Sequence, residues 1–166
     1  MVKETICIPD LTLRPYGLAV ERIFPYPVDV LFDGWTINFD KWFAAPGTLL
    51  MRAEVNEPFF FETVFQADDQ EIEQRHPHYG RFLKLERNKF IQMTWVTGSV
   101  GTQGAETVVS IELIEQAEQT LVKLKHDGFQ NKQTMKGHNE AWPNVFEHML
   151  NCLNDKSSGM IIPKSE

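Results

Sequence analysis

The feature that most constrains the fold is an apolar stripe in residues 137–155, GHNEAWPNVFEHMLNCLND. Its members recur at steps of three and four residues, a spacing that places them on one side of a helix. Because proline is tolerated in the first turn and interrupts the hydrogen-bond ladder further in, Pro143 predicts a regular helix over residues 143–155. Such a wide apolar face has to be covered by other elements. The stripe consists of Ala141, Trp142, Val145, Phe146, Met149, Leu150 and Leu153.

Two segments before this helix alternate apolar and polar residues with a period of two, which is typical of half-buried antiparallel strands. They cover residues 105–114 and 119–129. In the second segment, His126 shares the inward face with Val122 and Leu124. The inward faces of both strands need an apolar partner, and the helix stripe is the nearest large one. The sequence therefore predicts a curved sheet that lies against the C-terminal helix.

The remaining elements complete an α+β fold. Residues 18–24 predict a first strand, and two short helices follow, one over residues 28–35 and one capped by Asn38. The polar stretch 68–78 predicts a loop or an exposed extension. The expected architecture is a curved, mostly antiparallel sheet of six to seven strands around the long C-terminal helix. The other predicted strands cover residues 48–55, 58–67, 79–87 and 90–97.

The length of 166 residues and the absence of a linker-like stretch predict one domain with a single core. This domain covers residues 18–155, between an N-terminal arm of residues 1–17 and a C-terminal tail of residues 156–166. Twelve phenylalanines and four tryptophans supply bulky side chains, which are suited to the walls of a core or of a pocket.

Charge and hydropathy argue against several classes of protein. A net charge of −7 without a basic cluster argues against binding nucleic acid, which requires cations that displace counterions from phosphate. The chain lacks a run of eighteen apolar residues and an export signal, so no membrane span is predicted and the cytoplasm is the expected location. Cys7 and Cys152 have no metal-ligand spacing and are expected to be free thiols.

Histidines are the clearest candidates for polar chemistry. An inward His126 could orient a ligand carbonyl or act as an acid or base, or it could be a structural histidine bonded to a backbone carbonyl. His76 and His78 could face one way on an extended strand, but no third ligand is placed beside them, so no metal site is predicted. No cofactor is expected. No residue is assigned as catalytic, because the chain lacks a Ser-His-Asp order, a nucleophile elbow and a phosphate loop.

An aromatic set would converge if the sheet wraps around the helix. Few polar residues interrupt it, which is typical of a small-molecule pocket and equally of a packed core, and both interpretations stay open. The acidic residues Glu62 and Glu106 alternate with apolar neighbours, so they are expected to face solvent. The aromatic set comprises Trp42, Phe60, Phe61, Trp95, Trp142 and Phe146.

Several stretches together resemble a known family over about residues 18–153. They are DKWFAAPG at residues 40–47, YGRFLKLERNKFIQMTWVTG at 79–98, AETVVSIEL at 105–113, HDGF at 126–129 and AWPNVFEHML at 141–150. The most specific parts are Thr94-Trp95 after a charged turn and Trp142-Pro143 in the last helix. These stretches are similar to the START-like (SRPBCC) superfamily and, within it, to the homologues of the activator of the heat-shock-protein ATPase.

The resemblance implies a helix-grip fold with a cavity between the sheet and the C-terminal helix, used across the superfamily for lipids, polyketides, hormones and other apolar molecules. The predicted function is therefore the binding of an apolar or lipid-like small molecule, with the partner enclosed in that cavity. The expected ligand-binding residues are Trp42, Phe61, Tyr79, Trp95, His126, Trp142 and Phe146.

Two other functions remain open. One is a cyclase- or hydrolase-like enzyme that uses His126 together with Tyr79 or a nearby glutamate. The other is an interaction protein of the chaperone-activator type, which would contact the chaperone directly. The resemblance by itself does not imply this activity, since a fold supports many functions. A homodimer also stays open as an assembly.

Overall fold

The computed structural model describes residues 6–65 and 73–161 of the chain. Within these residues, six β-strands and two α-helices follow one another, and a single 3-10 turn lies between the first helix and the second strand. None of the helices described is long and apolar enough to span a membrane. In chain order the elements are β1 (Tyr16–Phe24), α1 (Val28–Gly34), the 3-10 helix (Phe39–Lys41), β2 (Pro58–Phe65), β3 (Gln74–Glu86), β4 (Phe90–Thr97), β5 (Thr107–Gln116), β6 (Gln119–Phe129) and α2 (Lys132–Asn154).

The strands in the described chain form one antiparallel sheet in the order β1-β6-β5-β4-β3-β2. Strands β2 to β6 follow as a meander, and β1 pairs with β6 at the far edge. Consecutive strands β1 and β2 therefore lie at opposite edges, and α1 and the 3-10 helix belong to the segment that connects them. The predicted α+β helix-grip fold is confirmed, because a curved antiparallel sheet of six strands faces the long C-terminal helix α2.

The inward face of the sheet and one face of α2 form the core. Ile111 in β5 pairs with Leu124 on one side and with Ile91 on the other, and all three side chains are buried. Burial of such side chains contributes about 1.5–3 kcal/mol each. The predicted inward position of His126 is confirmed, since its side chain is fully buried. The buried residues of α2 are Trp142, Phe146, Met149 and Leu153.

Helix α2 begins earlier than the sequence predicted. It begins at Lys132 and contains Pro143 in its interior. Asn131 caps the helix, since its side chain accepts a hydrogen bond of 2.9 Å from the backbone N–H of Thr134. Pro143 is exposed, and its missing N–H leaves only the carbonyl of Asn139 without a helical partner. The predicted start was wrong because the first turns of α2 are polar and carry no apolar stripe.

Residues 48–55, predicted as a strand, form no strand of the sheet. They lie along the edge of β2, where Leu50 and Phe60 exchange two backbone hydrogen bonds of 2.8 and 2.9 Å. The side chain of Leu50 is exposed, so the apolar composition of this segment does not reflect a buried strand. The segment instead covers part of an edge that would otherwise be open to pairing with another chain.

The predicted polar loop at residues 68–78 is partly wrong. Strand β3 begins at Gln74 and brings His76 and His78 into the sheet. The second predicted short helix is a single 3-10 turn, Phe39–Lys41. Parts of the predictions that fall outside the described residues are 1–5 of the N-terminal arm, 66–67 of the strand after Pro58, 68–72 of the loop and 162–166 of the tail.

Candidate functional site

A cavity of about 410 Å³ opens between the middle of α2 and the part of the sheet formed by β2, β3 and β4. The residues that line it include apolar side chains, three histidines, Thr63, Arg75 and the glycine-rich loop after β4. A more open groove continues from this cavity along α2 and β2. The apolar walls are formed by Phe43, Trp95, Ala141, Trp142 and Val145.

Two indoles form the floor of the cavity. Trp95 comes from β4 and Trp142 from α2, and their ring centroids lie 5.9 Å apart. Each residue is only 3% exposed, so the rings have one side in the core and the other at the cavity. Phe43 packs 5.8 Å from Trp95 and extends the aromatic surface toward the mouth. The two indole planes are inclined by 53°, so the floor is an apolar surface with an angle between its two halves.

A hydrogen-bonded chain behind the floor links the indole of Trp142 to the backbone of Trp95. The Nε1–H of Trp142 donates to Nδ1 of His126 at 3.2 Å, so the imidazole proton resides on Nε2. This Nε2–H donates to the hydroxyl of Thr107 at 2.7 Å, and that hydroxyl donates to the backbone carbonyl of Trp95 at 2.5 Å. Each donor in the chain has one acceptor, which makes a satisfied buried network. The wall on α2 is thereby linked to the wall on β4.

His126 acts as a positioning residue behind the cavity wall. Its ring is fully buried, and burial lowers its pKa well below the ordinary value, so the imidazole stays neutral. One ring nitrogen accepts from Trp142 and the other donates to Thr107, which leaves neither nitrogen for a ligand. Its hydrogen-bond partners are an indole and a hydroxyl. The sequence had predicted a backbone carbonyl as the partner of a structural histidine.

His78 reaches the cavity from β3. Its ring stacks on Phe61, with centroids 4.6 Å apart and planes inclined by 13°, and meets Trp95 edge-on at 5.2 Å. Its Nδ1–H donates to the carbonyl of His76 at 2.9 Å, which leaves Nε2 as an acceptor. Burial lowers the pKa of His78 to about 4, so the ring is neutral at pH 7. His78 therefore presents a neutral acceptor to an aromatic cavity.

His138 reaches the cavity from α2. Its Nδ1–H donates to the carbonyl of Thr134 one turn earlier, at 2.8 Å, so Nε2 is again the acceptor. The ring packs against Phe129 at 4.8 Å and against His126 at 5.2 Å. Burial lowers the pKa of His138 as well. The cavity thus has one neutral imidazole on its sheet wall and one on its helix wall.

The glycine-rich loop after β4 forms the rim. Thr97 and Thr102 each donate a backbone N–H to the hydroxyl of the other: the N–H of Thr97 at 2.9 Å and that of Thr102 at 2.7 Å. Gly101 fits against this pair because it lacks a side chain, since a Cβ there would lie 1.9 Å from Oγ1 of Thr97. Val100 is 83% exposed and lines the mouth. The rim is therefore a closed turn with an apolar tip.

Charges near the mouth are paired. The guanidinium of Arg75 forms ion pairs with Glu62 at 2.8 Å and with Glu73 at 2.9 Å. Two carboxylates therefore share one cation, and the mouth offers no uncompensated positive charge at Arg75. Within residues 6–65 and 73–161, no group of three or more His, Cys, Asp or Glu side chains is arranged to hold a metal ion.

The structure brings together some of the predicted binding residues and separates others. Trp95 and Trp142 line the cavity. Tyr79 is 52% exposed on the outer face of the sheet, where it packs against Phe60 at 5.2 Å. The pairing of His126 with Tyr79, one of the two forms of the enzymatic alternative beside a glutamate partner, is therefore not formed. The predicted residues that are buried without lining the cavity are Trp42, Phe61, His126 and Phe146.

Most residues of the cavity were not predicted as ligand-binding residues, among them Phe43, His78 and His138. His138 lies four residues before Trp142, a spacing that places both on one side of a helix, but the helix was predicted to begin after it. Once β3 is known to begin at Gln74, the alternation of side chains along the strand accounts for the buried position of His78. Phe43 follows the 3-10 turn, where no periodicity indicates the direction of a side chain.

The family model for activator of Hsp90 ATPase homolog 1-like proteins matches residues 25–154 of the chain. This range runs from the end of β1 through α2, so it includes the elements that line the cavity. No curated protein matches the sequence.

Solved structures share the fold at low sequence identity. A protein from Mesorhizobium loti has a TM-score of 0.65 at 20% identity, over 84% of this chain and 97% of its own. A protein from Chromobacterium violaceum has a TM-score of 0.69 at 16% identity, over 86% of this chain and 100% of its own. The Aha1 dimer from Colwellia psychrerythraea has a TM-score of 0.60 at 15% identity, over 83% of this chain and 96% of its own. Likeness at such identities shows the fold alone.

Proposed function

The chain belongs to the family of activator of Hsp90 ATPase homolog 1-like proteins, and from this premise we propose that it binds an apolar or aromatic small molecule between α2 and the sheet. The observation that carries the proposal is the cavity of about 410 Å³ with Trp95 and Trp142 as its floor. Such a volume lies within the range that holds a drug-sized ligand in proteins.

The energetics of the site favour an apolar ligand. A molecule in the cavity would remove from water mainly the exposed parts of Phe43, Ala141 and Val145, since Trp95 and Trp142 are each only 3% exposed. Each Å² of apolar surface buried in this way contributes about 25 cal/mol. Because the indole of Trp142 is already bonded to His126 and the side chain of Trp95 is packed at 3% exposure, little side-chain freedom is lost on binding.

Titration with the uncharged dye Nile red tests this proposal. We expect saturable binding by the wild-type protein and a loss of affinity of roughly tenfold or more in Val145→Trp, which fills the cavity from α2. Ile37→Trp adds the same side chain at a position that is 65% exposed and serves as the matched control. Circular dichroism first establishes that both variants are folded.

Two results would overturn the proposal. One is the absence of saturable binding by the wild type, and the other is a folded Val145→Trp variant that binds the dye like the wild type. A native mass spectrum of the protein as purified adds an independent measurement, because a natural ligand would travel with it as an adduct of a few hundred daltons.

The other interpretations are less well supported. An enzyme that uses His126 would need a free ring nitrogen, and both are engaged. Chaperone contact is supported by the description of the family, and a homodimer is supported by the dimeric Aha1 from Colwellia psychrerythraea. Both are properties of relatives. A saturable increase in chaperone ATPase turnover would favour chaperone contact.

A cytoplasmic location accords with the free thiols of Cys7 and Cys152.

A further inference from the structure

Two of the three imidazoles that line the cavity, those of His78 and His138, share one chemical property. In both His78 and His138 the Nδ1–H is bonded to a backbone carbonyl, of His76 and of Thr134 respectively. The proton is therefore fixed on Nδ1, and Nε2 carries a lone pair. Among residues 6–65 and 73–161, neither Nε2 atom has a hydrogen-bond partner, although both rings line the cavity.

The two acceptors lie on either side of an apolar floor. His78 is next to Trp95, with ring centroids 5.2 Å apart, and His138 lies one helical turn before Trp142. The indoles themselves are 5.9 Å apart. A ring compound placed against the floor would thus have an imidazole of the sheet beside Trp95 and an imidazole of the helix one turn from Trp142.

Building on the proposed function, we propose that the natural ligand is an uncharged ring compound with at least one hydroxyl group, which donates a hydrogen bond to Nε2 of His78 or His138. The ring lies on the floor formed by Trp95 and Trp142. The hydroxyl supplies the donor that the two imidazoles lack, and it discriminates this class of ligand from pure hydrocarbons.

The same geometry selects against carboxylates such as fatty acids. A carboxylate in the cavity would face two lone pairs in place of donors. The guanidinium of Arg75, which lines the cavity, is already shared by Glu62 and Glu73, so this cation is not free to offset the loss of hydration. Protonation of His78 would supply a cation, but burial opposes it at neutral pH and holds the pKa of that group at about 4.

A matched series of two-ring compounds tests the inference: 2-naphthol, naphthalene and 2-naphthoate, each titrated against bound Nile red at pH 7. They differ in one substituent, which is a hydroxyl, a hydrogen or a carboxylate. One additional hydrogen bond corresponds to about a two- to tenfold gain in affinity. We therefore expect 2-naphthol to displace the dye at about two- to tenfold lower concentration than naphthalene, and 2-naphthoate to be the weakest.

Two variants identify the acceptor. His78→Phe keeps the stacked ring on Phe61 and removes the lone pair, and His138→Phe does the same on α2. At least one of them is expected to abolish the preference for 2-naphthol over naphthalene while Nile red still binds. Lys84→Gln, at an exposed position of β3, serves as the control and should keep the wild-type preference.

The outcomes separate this inference from the proposed function. If Nile red and all three compounds fail to bind, the proposed function falls and the inference falls with it. If 2-naphthol and naphthalene bind equally, or if 2-naphthoate binds most tightly, the cavity is a binding site but the hydroxyl inference is wrong. The inference is also wrong if both histidine variants keep the preference.

Discussion

The indole N–H of Trp142 donates to Nδ1 of His126 at 3.2 Å, and this bond determines which nitrogen of a fully buried imidazole carries the proton. The other nitrogen is thereby committed as a donor to Thr107. His126, which the sequence predicted as a ligand-binding residue, therefore supports the cavity wall from behind. Substitutions in the hydrogen-bonded network of Trp142, His126 and Thr107 should alter stability and ligand binding together.

Thr107→Val is expected to be strongly destabilising. It leaves the Nε2–H of His126 and the carbonyl of Trp95 without their shared partner in a buried site. Unsatisfied buried polar groups cost about 1–3 kcal/mol, so the free energy of unfolding should fall by about that amount. Urea unfolding of Thr107→Val and Thr107→Ser measures it, because serine keeps the hydroxyl. Valine keeps a γ-methyl group and loses the hydroxyl, so a Thr107→Val variant that is as stable as Thr107→Ser would contradict the expected contribution of the hydrogen bonds.

The protein is expected to lose stability as the pH is lowered from 6.5 to 4. Burial lowers the pKa of His78 from 6.5 to about 4, so between these values the unfolded chain binds a proton that the folded chain does not. The contribution of His78 to the free energy of unfolding is fully present above pH 6.5. Its loss lowers that free energy by roughly 3 kcal/mol by pH 4. Burial also lowers the pKa values of His126 and His138, which act in the same direction.

Urea unfolding at several pH values between 4 and 7 checks this dependence. His78→Phe removes the titrating group while keeping an aromatic ring, so its free energy of unfolding should change less over this range than that of the wild type. If the variant and the wild type depend on pH equally, His78 is not the group responsible.

Two glycines of the rim loop should respond differently to the same substitution. A Cβ at Gly101 would collide with Oγ1 of Thr97 and break its mutual hydrogen bonds with Thr102, whereas a Cβ at Gly98 would meet nothing within 4 Å. We expect Gly101→Ala to cost about 1–3 kcal/mol and to weaken Nile red binding, with Gly98→Ala close to the wild type. Similar behaviour of the two variants would mean that the rim does not depend on this contact.

The sequence predicted elements best where periodicity and turn residues agree. Strands β4 and β6 were predicted with the bounds observed, because alternation runs up to a turn at each end. Residues 48–55 have strand-like composition, yet they form isolated bridges, from Leu50 to Phe60 of β2 and from Val55 to Phe82 of β3. Composition does not distinguish such an edge cover from a strand. The start of α2 was missed because its cap, Asn131, lies far from the apolar stripe.

The site was less predictable than the fold. Aromatic side chains were expected to converge, and Trp95 and Trp142 do line the cavity. Whether such a ring faces a cavity or the core depends on how far the sheet curves away from α2, which no local pattern records. Phe61, for example, is fully buried beneath His78, although both belong to the same part of the sheet.

Pro143 divides α2 into two halves that are anchored unequally. The buried residues of the helix all lie from Trp142 onward, and none lies in the turns before it. The carbonyl of Asn139 has lost its helical partner to the proline, so the ladder is weakest at this junction. Amide protons in residues 132–141 should therefore exchange with solvent faster than those in residues 146–154. Because His138 belongs to the first half, fraying there would uncover the cavity while the core stays intact, which gives a ligand a route of entry.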